Sequence, residues 1–246
     1  MTETSESIEP SAAGHRQRLR ERFKKGGLSA LADYEVIELI LTLGTPRRDC
    51  KPAAKAAIKR FKTFRGVLEA SAAELEEVEG IGPANSIGIR LVAEAAREFL
   101  KERAVEHPVC GTAQQVYDYL YASMGGLKKE VFKVLYLDSQ NRIIEIVDLF
   151  QGTVNASAVW VRDVVEGALR LHATGMIFVH NHPSGTITPS QPDKDITRDL
   201  VFAAATMNIK SQDHIIIGDN KYYSFNADGL MDRYAAEFRG LRGKSN

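Results

Sequence analysis

Cysteine is nearly missing from this chain. Of 246 residues only Cys50 and Cys110 are cysteine, and no Cys-x-x-Cys pair occurs. A disulfide framework and a thiolate-rich zinc site are both excluded. Long apolar runs are missing too: no stretch approaches the ~18 residues of a membrane span, so no membrane partner is expected. Neither sign of charge prevails, since Lys+Arg and Asp+Glu number 32 each. No GxxxxGKS or GxxxxGKT phosphate loop supports nucleotide hydrolysis. The cysteines that a zinc deaminase needs are absent. Met1 to Gly14 is acidic and polar and lacks the basic-then-apolar profile of a signal peptide. The reducing cytoplasm is therefore the expected compartment.

What is present suits a folded protein. Apolar residues make up 44% and charged residues 26%, enough for a real core in one large domain or two small ones. Charge is uneven along the chain. His15 to Arg65 carries 14 Lys/Arg against 5 Asp/Glu, and Gly66 to Glu106 carries 4 against 9. The first lobe reads either as a phosphate-facing surface or as solvated helix faces.

The organisation reads as a helical half followed by an α/β half. Met1 to Gly14 is expected to be disordered. Residues 15–105 form an all-helical domain: His15 to Lys25, Asp33 to Leu43, Pro52 to Phe61, Ser71 to Val78, and a long helix from Ala84 to Arg103. Residues 108–232 alternate strands and helices. The strands are Val131 to Asp138, Ile143 to Phe150, Met176 to Val179, Ile209 to Gly218 and Tyr222 to Phe225. The helices are Gln114 to Ser123, Arg162 to His172 and Asp193 to Met207. Residues 233–246 read as a C-terminal tail in a loose helix.

Two segments carry chemistry. Leu75 to Ala84 is a helix end, the turn Gly80-Ile81-Gly82-Pro83, and a new helix start. It resembles the helix-hairpin-helix motif, which holds nucleic-acid backbones through amides without reading sequence. Gly80 and Gly82, with Lys55, Lys59 and Arg60 from the helix Pro52 to Phe61, are the candidate DNA contacts. Pro83 removes one donor, and Glu74, Glu76, Glu77 and Glu79 repel phosphate. A hairpin packed on its own domain is the alternative.

The second segment runs from Phe178 to Asp193. His180 and His182 are two apart at the end of an apolar strand, so both imidazoles can face one place. Asp193 follows a Pro- and Gly-rich loop at a helix start. Two neutral imidazoles and a carboxylate make a three-ligand zinc site with a fourth position left for water. Two histidines at this spacing are incidental in most chains. Here they adjoin Pro183-Ser184-Gly185, Pro189-Ser190 and Asp193, in a loop with no apolar reason to exist.

The pattern H-x-H-P-x6-S-x2-D resembles the signature of the JAMM (MPN-domain) metallopeptidases. The longer string HNHPSG…PS..D is similar to the RadC family within that group. The likeness extends to the helical half, to Gly152-Thr153, Arg162 and Thr197, and to Asp213 through Gly218. It implies an α+β/α/β architecture: a mixed β-sheet flanked by helices, in cytidine-deaminase-like layering, after the helix-hairpin-helix domain. It implies Zn2+ held by His180, His182 and Asp193, with Ser190 assisting the oxyanion. The general-base glutamate maps best onto Glu130, with Glu145 and Glu166 as weaker candidates. Relatives often carry Pro-Arg where this chain has Val161-Arg162, beside Trp160, which puts that loop's shape in doubt. Asp213 and His214 either orient a zinc ligand from behind or satisfy backbone groups. His15, His107 and His172 read as ordinary histidines, and Trp160 as packing.

The expected activity is zinc-assisted hydrolysis of a peptide or isopeptide bond, with the substrate itself unreadable. Two other functions compete. One is a DNA-associated accessory protein, in keeping with the DNA-repair label RadC-like proteins have carried. The other is a metal-dependent nuclease. The letters His180-Asn181-His182 do not spell the nuclease of that name, which spreads those residues over a different fold.

Overall fold

A computed structural model of the chain describes residues 12–45, 48–106, 108–109, 113–152 and 161–243. The chain divides into two compact units, the first ending at Ala96 and the second beginning at Arg97. The first unit is built of helices. They are α1 (Ala12–Gly26), α2 (Asp33–Gly44), α3 (Lys51–Phe61), α4 (Phe64–Glu69), α5 (Ala72–Glu76) and the part of α6 (Pro83–Val105) up to Ala96, with a 3-10 turn at Gly27–Ala30. Ile37 and Leu41 of α2, the alanine face of α3 (Ala53, Ala54, Ala57), Val67, Leu75, Ile81 and Ile89 make one core. Small alanines let α3 approach closely, and Gly80 is needed there. Its φ is +87°, and an added Cβ would meet Ala53 Cβ at 3.0 Å.

Several expectations need correction here. The tail expected over residues 1–14 gives way to helix from Ala12; residues 1–11 lie outside the described part. Helix α4 had no expectation at all. Six residues with a glycine inside show no period, and its start is made by the Thr63 hydroxyl accepting from Gly66 N at 2.9 Å. The helix expected over Ser71 to Val78 is only Ala72–Glu76, with Ser71 and Glu74 capping each other. α6 ends at Val105, and the compact units divide within it.

The second unit contains α7 (Ala113–Met124), β1 (Glu130–Leu137), β2 (Ile143–Gly152), α8 (Val161–Arg170), β3 (Gly175–Asn181), α9 (Gln191–Thr206), β4 (Lys210–Ile217), β5 (Tyr222–Ser224) and α10 (Leu230–Gly243). The sheet is mixed, in the order β2-β1-β3-β4-β5. Hairpins join β1 to β2 and β4 to β5, and β1 lies antiparallel to β3. Only β3 and β4 are parallel, and α9 makes the crossover between them. The expected C-terminal tail at residue 233 falls inside α10, whose Met231 and Tyr234 are buried against Val201 and Ile216.

Both faces of the sheet are covered, so β1 and β3 read as continuous apolar runs and not as alternations. Odd residues of β1 (Val131, Leu135, Leu137) pack with Val116, Leu120 and Met124 of α7. Even residues (Phe132, Val134, Tyr136) pack with Val164 and Ala168 of α8 and Ile196 and Leu200 of α9.

Tyr136 shows how tightly the second face closes. Its ring is fully buried, its hydroxyl donates to Val164 O at 3.1 Å, and burial pushes its pKa up to about 12. Gly167 leaves the space for that hydroxyl, since an added Cβ would fall on it and lie 2.8 Å from Cζ. G167A is expected to cost about 1–3 kcal/mol through overpacking. Y136F is expected to cost about 1 kcal/mol through the lost hydrogen bond. Urea unfolding should show the Gly167 penalty shrinking in the Y136F background, because the clashing oxygen is gone.

Candidate metal centre

Strand parity assembles the centre. Glu130 shares the even face of β1 with Phe132, and Phe132 stands opposite His180 in the β1–β3 register. In β3, Met176 and Phe178 face α8 and α9, so His180, two further on, does too. His182 follows just past the strand, anchored by its N–H to Ile217 O at 2.9 Å. Asp193 reaches the same spot from the first turn of α9. Ser190 caps that helix: the Ser190 N–H and Oγ–H both donate to Asp193 Oδ2, at 2.7 and 2.6 Å. The helix start favours the negative charge it holds.

The four side chains meet closely. One potential ligand atom from each of Glu130, His180, His182 and Asp193 lies within 4.8 Å of all the others. His180 Nε2 is 2.9 Å from His182 Nε2 and 3.3 Å from Asp193 Oδ1. His182 Nε2 is 3.5 Å from Asp193 Oδ2, and Glu130 Oε1 is 3.9 Å from His180 Nε2. His180 and Asp193 are buried, and Glu130 and His182 are partly open to solvent.

What stands behind His180 determines its protons. Its Nδ1 is 2.8 Å from His214 Nε2, and His214 Nδ1 is 2.6 Å from Thr197 Oγ1. The Thr197 hydroxyl in turn donates to the Asp193 carbonyl oxygen. That oxygen can only accept, so Thr197 uses its proton there and must accept from His214 Nδ1–H. Burial holds the His214 pKa well below its ordinary value, and the nearby His180 pushes the same way. A neutral His214 then presents Nε2 as an acceptor, and His180 Nδ1–H donates to it. His180 Nε2 is left with its lone pair aimed at the centre. His182 reaches the same state differently: its Nδ1–H donates to Thr186 O at 2.7 Å.

Two imidazole lone pairs 2.9 Å apart, beside a carboxylate, require positive charge among them. A proton or a cation can supply it. The Asp193 carboxylate raises the His182 pKa. Burial alone would raise the Asp193 pKa, but the adjoining His180 and His182 and the Ser190 hydroxyl outweigh it and hold it well below the carboxylate range. The donor set is two nitrogens and a carboxylate oxygen, and it fits a divalent cation of the borderline kind. The protons directed away from the centre are those such a cation requires.

The other named residues lie elsewhere. Glu145 is on β2, 3.7 Å from Arg170, and Glu166 is on α8 in a groove with Val165 and Leu169. Neither joins the cluster. Asp213 does not approach it either; it ties β4 to the following turn by accepting from Ser224 Oγ at 2.6 Å and Asn226 N at 2.9 Å. Gly80 and Gly82 line a concavity of about 290 Å³ with Thr45, Arg48 and Asn85. Lys55, Lys59 and Arg60 are on α3 and do not line it. The Lys55 amine lies 5.2 Å from the Tyr34 ring centre, and Arg60 is paired with Glu77. His15, read as ordinary, faces the buried Glu38 at 3.0 Å. His107, Cys110, Thr153 and Trp160 lie outside the described residues. The reading of the residues gave Thr197 no role and left His214 undecided, although Thr197 sits one helical turn after Asp193, where a threonine hydroxyl reaches the carbonyl.

Residues 110–230 match the family described as a RadC-like JAB domain, and residues 12–87 match the UPF0758 N-terminal family. A UPF0758 protein of Rhodobacter capsulatus is 41% identical over 213 residues, covering 87% of this chain and 100% of the relative. Another, from Ruegeria pomeroyi, is 39% identical over 217 residues, covering 88% of this chain and 97% of the relative.

The chain behind His180 predicts how metal affinity responds to change. H214L removes the acceptor and should weaken divalent-cation binding by about 10–100-fold, as loss of such supporting bonds does in metal sites generally. H214Q retains an acceptor oxygen towards His180 and should retain more of the affinity. Competition with a chelator measures both, with the melting temperature monitored alongside.

Proposed function

Because the chain belongs to the RadC family, with its JAB domain, we propose that it is a zinc-dependent hydrolase of peptide or isopeptide bonds, with Glu130 as general base. The observation that carries this reading is the convergence of Glu130, His180, His182 and Asp193 within 4.8 Å. The protons of both histidines are held on their far sides. Zinc prefers nitrogen and carboxylate ligands in this number, and when bound it polarises a carbonyl and eases water ionisation near neutral pH.

The chain's own groups supply the rest. Glu130 is set back from the centre: its oxygen is 3.9 Å from His180 Nε2, where Asp193 Oδ1 is at 3.3 Å. A carboxylate so placed takes the proton of the attacking water and delivers it to the leaving amine nitrogen, whose bond to carbon breaks. Ser190 holds Asp193 in the resting arrangement, with its Oγ–H on Oδ2. Turning that proton towards the substrate carbonyl oxygen as charge develops would be its second duty. One such donor is worth about 3 kcal/mol in a transition state.

A DNA-associated role is the second reading, along with nuclease action at the same centre. It draws on the basic stretch from His15 to Arg65 and on the Gly80–Gly82 turn with Arg48 beside it. The pairing of Arg60 with Glu77 weakens it by removing one of the cations it would use.

The deciding experiment measures metal content and hydrolysis together. The purified chain should hold close to one zinc, and chelation should abolish cleavage of quenched peptide and isopeptide substrates. E130Q should keep the metal and lose about 10²–10⁴-fold in kcat. Full activity of E130Q removes Glu130 from the mechanism. A chain that stays metal-free when offered zinc, yet binds random duplex DNA in a salt-sensitive way, points to the second reading. Chelator-sensitive DNA cleavage would identify the nuclease.

A further inference from the structure

The residue between the two histidines faces away from the centre. Alternation along β3 that turns His180 and His182 one way turns Asn181 the other way. Asn181 is only 2% exposed, and its carboxamide reaches the start of β1. Its Oδ1 accepts from Val131 N–H at 2.9 Å, and its Nδ2 donates to Lys129 O at 3.1 Å. A longer contact runs to Leu127 O at 3.5 Å. Val131 N and Lys129 O belong to the two peptide groups that enclose Glu130. The β1–β3 ladder ends at Phe132 and His180, one residue short of Asn181. The Asn181 side chain therefore takes the place of a missing strand backbone at the point where Glu130 begins β1.

We propose that Asn181 is a positioning residue for Glu130, fixing the backbone on both sides of the glutamate so that its carboxylate stands beside the metal ligands. The proposal rests on Glu130 being the proton acceptor. The chemistry of the side chain explains the choice of asparagine. The site presents one N–H and one C=O, and a primary amide carries the complementary acceptor and donor in one plane. Aspartate has no donor for Lys129 O. Serine is too short to span both groups, and leucine would leave the buried Val131 N–H unsatisfied and take the donor from Lys129 O. His180 and His182 do not depend on this amide, since His214 and Thr186 hold their far nitrogens. The tripeptide thus does two jobs on two faces of the sheet: the flanking histidines present the cation ligands, and the middle residue sets the base.

The test needs no substrate. Zinc-loaded wild type, N181L and N181D are compared by crystallography, amide hydrogen exchange and chelator competition. In N181L the Glu130 carboxylate should leave its place while His180, His182 and Asp193 keep theirs. The Val131 amide should exchange about tenfold faster or more, as expected when a buried hydrogen bond is lost. Zinc affinity should stay within about threefold of wild type, because Asn181 touches no ligand atom. N181D keeps the acceptor for Val131 and should leave that amide protected while releasing the Lys129 side; it also serves if N181L fails to fold. The inference is overturned if Glu130 keeps its place in N181L, or in N181D where that is the folded variant. Loss of zinc in step with movement of the histidines also overturns it, since Asn181 would then be holding the ligands. If wild type proves to have no hydrolytic activity, the hydrolase reading fails, while the displacement of Glu130 can still be observed.

Discussion

The Asp193 carbonyl oxygen can only accept a hydrogen bond, and from that constraint the protonation of the centre follows. Thr197 donates to it, His214 donates to Thr197, and His180 donates to His214. No other polarity is consistent with a neutral, fully buried His214. Its ring is packed at 4.9 Å against Phe225, with Phe132 and Phe178 edge-on at 5.7 and 6.0 Å. This aromatic surround excludes water and makes a charged imidazole expensive. The apolar core thus reaches the chemistry directly: by keeping His214 neutral, it makes His180 a lone-pair donor at the centre. Asp193 acts at both ends, since its carboxylate faces the imidazoles while its carbonyl terminates the chain behind them.

The fold places this arrangement at a predictable position. β3 and β4 are the parallel pair, and α9 must start near the carboxyl end of β3 to cross over. Ligands in α/β sheets gather at the carboxyl ends of parallel strands because the loops and helix starts converge there. Here the strand end delivers His180 and His182, and the helix start delivers Asp193. Strand β1, antiparallel to β3, begins where β3 ends, so its first residue, Glu130, arrives at the same place. Sheet order and strand direction suffice to bring together residues 63 positions apart in the chain, from Glu130 to Asp193.

How much of this was legible in the sequence follows from the range of each interaction. The histidine pair is a period-two pattern, and Ser190 with Asp193 three residues later is a local cap, so both are visible within a dozen letters. Glu130 could be placed only through a family likeness, because its membership depends on the β1–β3 register. His214 was narrowed no further than Asp213 or His214, since the choice rests on which face of β4 looks towards β3 and α9. Asn181 escaped notice because its partners are backbone atoms some fifty residues earlier, which no side-chain pattern reveals. In the helical half, α4 and the true extent of α5 were hidden for a different reason. Both are shorter than the two turns needed to show a helical period, and both are defined by caps.

The hydrogen bonds on Asp193 also distinguish its two carboxylate oxygens. Oδ2 already accepts two bonds from Ser190, one from its amide and one from its hydroxyl, which draw electron density from it. Oδ1 faces His180 Nε2 at 3.3 Å and is not engaged by Ser190. Were a cation held at the centre, Oδ1 would be the more basic of the two oxygens offered to it. The same Ser190 bonds that cap α9 thus make the carboxylate asymmetric, with its less engaged oxygen turned towards His180.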